Sequence, residues 1–175
     1  MSSRRNFWGL SLIAVTALVL VGTWSRLSAA SNDNQHLEGS WNAIVTATDP
    51  PFLPPLKVLL TFTKDGGVVE TRRLYNPVSP FGPLLFTPGH GAWERTANDQ
   101  FAATIVDFFQ AAPNNPAADG SVLGEEKVRY SVTLNPSGES LSGRLVGEVK
   151  DSNGNLIFTF SANVQATRIH AEPLN

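Results

Sequence analysis

An all-β fold is what this chain predicts: an eight-stranded antiparallel up-and-down β-barrel behind an N-terminal signal-peptide helix. Three observations predict it. After residue 38, apolar and polar residues alternate with period two in eight successive runs. Turn-forming clusters rich in Gly, Asn and Asp separate several of those runs. Beyond residue 30, no segment repeats apolar residues with helical spacing for three turns.

Residues 1–30 read as an export signal. Arg4 and Arg5 precede an apolar run from Phe7 to Trp24, and Ser28-Ala29-Ala30 offers the small residues of a cleavage site. Ser3-Arg4-Arg5-Asn6-Phe7 is similar to a twin-arginine signal but departs from it at Trp8 and Gly9. The export route and retention of the segment as an anchor therefore stay open. Cleavage after Ala30 leaves 10 of the 13 basic residues against all 15 acidic ones, a net charge of −5. Residues 31–175 then form a single barrel domain in the periplasm or secreted. The absence of cysteine excludes disulfides, thiolate catalysis and cysteine-ligated zinc.

The expected strands are 39–48, 56–63, 68–75, 90–96, 100–109, 124–134, 140–150 and 155–169. Lys64-Asp65-Gly66-Gly67, Ala97-Asn98-Asp99, Asn135-Pro136-Ser137-Gly138 and Asp151-Ser152-Asn153-Gly154 supply the short turns. Short sequential connections favour a meander, and closing eight strands into a barrel removes the exposed edges. Three connections at one end are long and rich in proline: 49–55, 76–89 and 110–123. One barrel end is thus closed by tight turns, while the other is ringed by stiff loops, where binding sites tend to lie.

Gly39-Ser40-Trp41 opens the first strand, and Arg168 stands near the end of the last. This pair resembles the Gly-x-Trp motif and partner arginine of the lipocalins and wider calycin barrels. The resemblance implies that Trp41 and Arg168 form a structural pair at the closed end. It also implies a container for small molecules, like small exported bacterial lipocalin-like proteins of unassigned function. The family's Thr-Asp-x-x-Tyr signature has no clear counterpart here, and its common disulfide cannot form.

With Trp41 facing inward, small residues cluster on the first, seventh and eighth strands: Ala43, Ala47, Gly143, Gly147, Ala162 and Ala166. They favour a cavity, the alternative being glycines that permit curvature and large residues that fill the barrel. Aromatic residues expected around the open end are Phe52, Tyr75, Phe81, Phe86, Phe108, Phe109, Tyr130 and Phe158, a lining suited to an apolar or aromatic ligand. Asp107 interrupts an apolar stretch near that mouth. Facing inward, it would be a carboxylate of raised pKa, able to anchor a ligand or act as an acid–base group. The outward, solvated placement is the expected one. Arg72 or Arg73 could meet an acidic ligand, though one of two neighbours on a strand must face away.

His36, His90 and His170 stand apart from one another, so no metal site and no cofactor are expected. Asp107, Glu126 and His90 are the weak catalytic candidates, His90 as a rim base or merely a residue between two glycines. The net charge gives nucleic acid no basic patch. Membrane contact is expected only through an uncleaved signal segment, and the oligomeric state is open. The leading expectation is an exported barrel that binds a small apolar or aromatic ligand in its mouth. The first alternative is a barrel cyclase or isomerase of the allene-oxide-cyclase-like kind. The second is a solid barrel that docks other proteins through its loops.

Overall fold

A computed structural model describes residues 36–50, 54–73, 75–76, 82–115 and 121–174. The expected signal helix, Phe52 and Phe81 lie outside the described residues. Among the described residues ten strands form in order: β1 (Gly39–Asp49), β2 (Leu56–Phe62), β3 (Gly67–Arg72), β4 (Tyr75–Asn76), β5 (Leu84–Phe86), β6 (Gly89–Arg95), β7 (Gln100–Ala111), β8 (Val122–Leu134), β9 (Ser140–Asp151) and β10 (Leu156–Arg168). Eight of them close an antiparallel barrel in the order β7-β6-β3-β2-β1-β10-β9-β8, with β8 pairing back onto β7. No helix occurs among the described residues.

The connection expected at 76–89 is not a plain loop. It carries β4 and β5, which pair with each other, and β5 continues along β7 from where β6 stops. Pro88 explains the break, because it has no N–H for the ladder. Thr87 keeps the edge attached on either side of that gap. Its N–H donates to the Phe108 carbonyl at 2.9 Å, and its hydroxyl accepts from the Phe108 N–H at 3.1 Å.

At the closed end, Trp41 and Arg168 are direct cross-strand partners on β1 and β10. The Arg168 guanidinium lies 4.3 Å from the centre of the Trp41 ring, a cation–π distance. Its nitrogens donate to the carbonyls of Gly138, Glu38 and His36, tying the β8–β9 turn and the entering chain to the barrel. The Trp41 indole N–H donates to the Leu37 carbonyl at 2.9 Å. Gly39 has φ of +119°, and a Cβ there would stand 2.9 Å from Arg168 Nη1, so this position takes only glycine without strain.

Trp41, Leu60, Phe62, Phe101, Ile105, Val132, Leu134 and Leu145 fill the closed half as one buried cluster. Small residues do not leave an open wall against it, which corrects the expected cavity along β9, β10 and β1. A Cβ on Gly147 would sit 2.1 Å from the Phe160 ring, and one on Gly143 would sit 2.1 Å from the Ser131 carbonyl oxygen. Ala43, Ala162 and Ala166 are buried in the same cluster. The small residues admit close neighbours.

Candidate functional site

Alternation points Glu70 and Arg72 of β3, Asp107 of β7, and Glu126 and Tyr130 of β8 into the barrel. The register sets Asp107 directly opposite Glu126. Between β3 and β7 runs β6, whose Gly89 pairs with Glu70. A Cβ at Gly89 would come within 2.6 Å of an Ile105 methyl and 3.4 Å of the Glu70 Cβ. Without that side chain, the arms from β3 can reach across β6 to β7 and β8.

Arg72 Nη2 lies 2.6 Å from Asp107 Oδ2, and Arg72 Nη1 lies 2.8 Å from Glu126 Oε1. Its Nε is 4.0 Å from Glu70 Oε1. Tyr130 donates its hydroxyl hydrogen to Glu70 Oε2 at 2.7 Å. The Phe86 ring covers the guanidinium from 4.6 Å. Asp107 is 3% exposed, and its Oδ1 has no hydrogen-bond partner. One cation therefore faces three buried carboxyl groups.

Burial would lower the Arg72 pKa, but Glu126 and Asp107 overcome that and raise it, so Arg72 remains a cation. Burial pushes the Asp107 carboxyl up to about 8, with Glu126 and Glu70 adding to the effect and Arg72 only partly offsetting it. Burial likewise raises Glu70, against the attraction of Arg72. The Tyr130 phenol is raised well above its ordinary value, first by burial and then by Glu70. Asp107 is thus the group placed to hold a proton near neutral pH and to release it when a cation approaches. Chemically it can accept a hydrogen bond or give up a proton.

Toward the open end, an apolar layer lies against this cluster. Leu84, Phe109 and Val149 are buried there, with Phe86, Leu123, Phe158 and Phe160 packed against them. The Phe86 and Phe109 rings are 5.9 Å apart, as neighbouring aromatics prefer.

The expected site residues divide accordingly. Phe86, Phe109 and Phe158 belong to the apolar layer, and Tyr130 lies beneath it in the polar cluster. Phe108 is a correction: it faces outward and is 48% exposed, because adjacent strand residues point to opposite faces. Tyr75 lies on β4, in register with Leu85. Asp107 is a second correction, since it faces inward beside Glu126. His90 sits exposed on the outer face of β6, in register with Val69 and Val106, and so turns away from the cluster. Arg73 is exposed, while Arg72 is spent on the protein's own carboxyls and not left open to an acidic ligand. Glu70 was missed; the signal that pointed to it is Pro88-Gly89-His90-Gly91, where a strand leaves room for its neighbour. A groove of about 660 Å³ on the outer wall, lined by Asn42, Lys57 and Gln165 among others, contains none of these groups.

No protein-family model matches the chain, and no curated protein matches it. Among solved structures it is similar to one described as EF1p2_mFAP2b bound to DFHBI. The identity is 16% and the TM-score 0.47, with 79% of this chain and 98% of that chain covered. At that distance the likeness carries no argument about what this barrel binds.

Proposed function

We propose that the protein is an exported container that holds a small apolar or aromatic molecule at the open end of its barrel. The reading is supported by the contrast between the two ends. The closed end is packed solid and tied by Arg168, whereas the open end stacks an aromatic layer on a buried polar cluster. One observation carries it: Asp107 Oδ1, buried beneath that layer, has no hydrogen-bond partner. A buried polar atom without a partner is costly, and a ligand that supplies the partner recovers that cost. Residues 1–30 would direct the chain to the periplasm or beyond before cleavage near Ala30.

Native mass spectrometry of protein purified from its own host without delipidation tests the proposal, with a denaturing spectrum alongside. A small molecule present in the first and absent from the second is the expected result. The bare mass, unchanged after incubation with host lipid and metabolite extracts, would overturn it.

A second reading, a cyclase or isomerase, is favoured by the same carboxyl. A group of pKa about 8 beside Glu126 is tuned for proton transfer near neutrality. Turnover of the bound molecule that is lost on Asp107→Asn would favour the enzyme. Release of the molecule unchanged favours the container.

A further inference from the structure

We infer that the molecule held at the open end carries an ammonium head that donates to Asp107 Oδ1, and that carboxylate-headed analogues are refused. The inference rests on the container reading and specifies its ligand. It starts from which groups are already used. Arg72 directs one terminal nitrogen to Asp107 and the other to Glu126, and Phe86 covers its face. Both terminal nitrogens of that guanidinium are thus engaged by the protein's own carboxyls, and its Nε faces Glu70 at 4.0 Å. Tyr130 gives its hydroxyl hydrogen to Glu70. What the cluster offers instead is one unpartnered oxygen: Asp107 Oδ1 is buried, belongs to a side chain 3% exposed, and becomes an acceptor once the carboxyl gives up its proton.

The groups around Asp107 can be named strand by strand. Glu70 and Arg72 approach from β3, and Glu126 and Tyr130 from β8. Around their partners lie Phe86 from β5 over the Arg72 guanidinium, Val58 of β2 as the cross-strand partner of Arg72, and the side-chain-less Gly89 of β6 opposite Glu70. Among the described residues, Arg72 is the one cation in this set, against three carboxyls. An incoming anion would enter a site of low dielectric whose one cation is already shared among the protein's own carboxyls, which is strongly disfavoured. An ammonium would instead complete a set of two cations and three carboxyls. The aromatic layer suits the same ligand twice over, since it receives an apolar body and its ring faces attract a cation.

Binding then has a proton balance. In the free protein at neutral pH, Asp107 is mostly the neutral acid. On docking, its proton leaves to solvent, and the carboxylate pairs with the ammonium, which keeps all of its own protons. Affinity for an amine should therefore rise as pH rises toward about 8.

The test is calorimetric titration of the full chain with three probes sharing one body: butylbenzylamine, butylbenzyl alcohol and butylbenzoate. Near neutral pH the amine should bind at least about tenfold more tightly than the alcohol, with the benzoate weakest. Between about pH 6 and pH 8, amine affinity should increase about fiftyfold in all, most steeply below pH 7, while alcohol affinity stays level. Asp107→Asn should bring the amine down to the alcohol's affinity and leave the alcohol unchanged. Should that variant fail to fold, the pH profile of the unaltered protein decides alone. Equal binding of all three probes, or a flat profile for the amine, overturns the ammonium inference and leaves the container standing. Binding of none of them counts against both.

Discussion

Tyr130 donates its phenolic hydrogen to Glu70 Oε2 at 2.7 Å, joining β8 to β3 across the interior of the barrel. The two residues are 60 positions apart in sequence, and neither strand borders the other in the sheet. The contact braces opposite walls at the depth where apolar packing gives way to charge. Tyr130→Phe removes one hydroxyl and keeps the ring. It leaves a buried carboxyl oxygen without its donor, so a loss of about 1–3 kcal/mol is expected. Urea unfolding of the two proteins measures it, and an unchanged midpoint would show that the brace contributes nothing.

Asp107 makes stability fall with rising pH over a defined window. Its carboxyl moves from 3.8, the ordinary value, to about 8 in the folded chain. Between those values the folded state binds more protons than the unfolded state, so each pH unit upward favours unfolding. The loss is up to about 1.4 kcal/mol per unit, complete above about pH 8. Carboxylates elsewhere give other slopes, so the comparison that matters is with Asp107→Asn. Unfolding measured near pH 5 and pH 8 should show a steeper decline for the unaltered protein. Parallel declines would remove Asp107 as the cause.

Arg72 holds Asp107 and Glu126 with separate nitrogens while Phe86 lies over its face. Arg72→Met strands the carboxyls in a buried site, and such a loss costs about 3–5 kcal/mol. Arg72→Lys keeps the charge but has a single nitrogen, which cannot span both partners with the same geometry. Lysine is expected to recover less than half of the stability lost on the methionine change, by thermal or chemical unfolding. Full recovery would mean that charge alone, not the fork, holds the cluster.

The strands were legible because their boundaries are chemical. Asp65-Gly66 and Asn153-Gly154 supply turns that few other dipeptides make, and the observed elements begin and end within a few residues of them. The closed end was legible through Gly39, Trp41 and Arg168, whose roles depend on local strand parity. The polar cluster was not. Around Asp107 both faces of β7 are apolar, with Ile105 and Phe109 inward and Val106 and Phe108 outward, so alternation gave no contrast to orient the carboxyl. Its partners come from β3 and β8, and their meeting depends on the barrel register and on a missing side chain at Gly89. Alternation along one strand shows which residues share a face, but not which face meets another strand's charge across the interior.

Gly147 and Phe160 provide the sharpest test of whether small residues mark a cavity or a contact. The two are direct cross-strand partners, and the ring occupies the space that a Cβ at 147 would need. Gly147→Ala must push the ring away, at a cost of about 1–3 kcal/mol. Phe160→Leu removes the obstacle while losing some apolar burial of its own. If contact is the reason for the glycine, the double variant should be more stable than the sum of the two single losses allows, by at least about 0.5 kcal/mol. Simple additivity in denaturant unfolding would mean that the ring and the glycine are independent. The open wall first expected from the small residues would then again be the better account of β9.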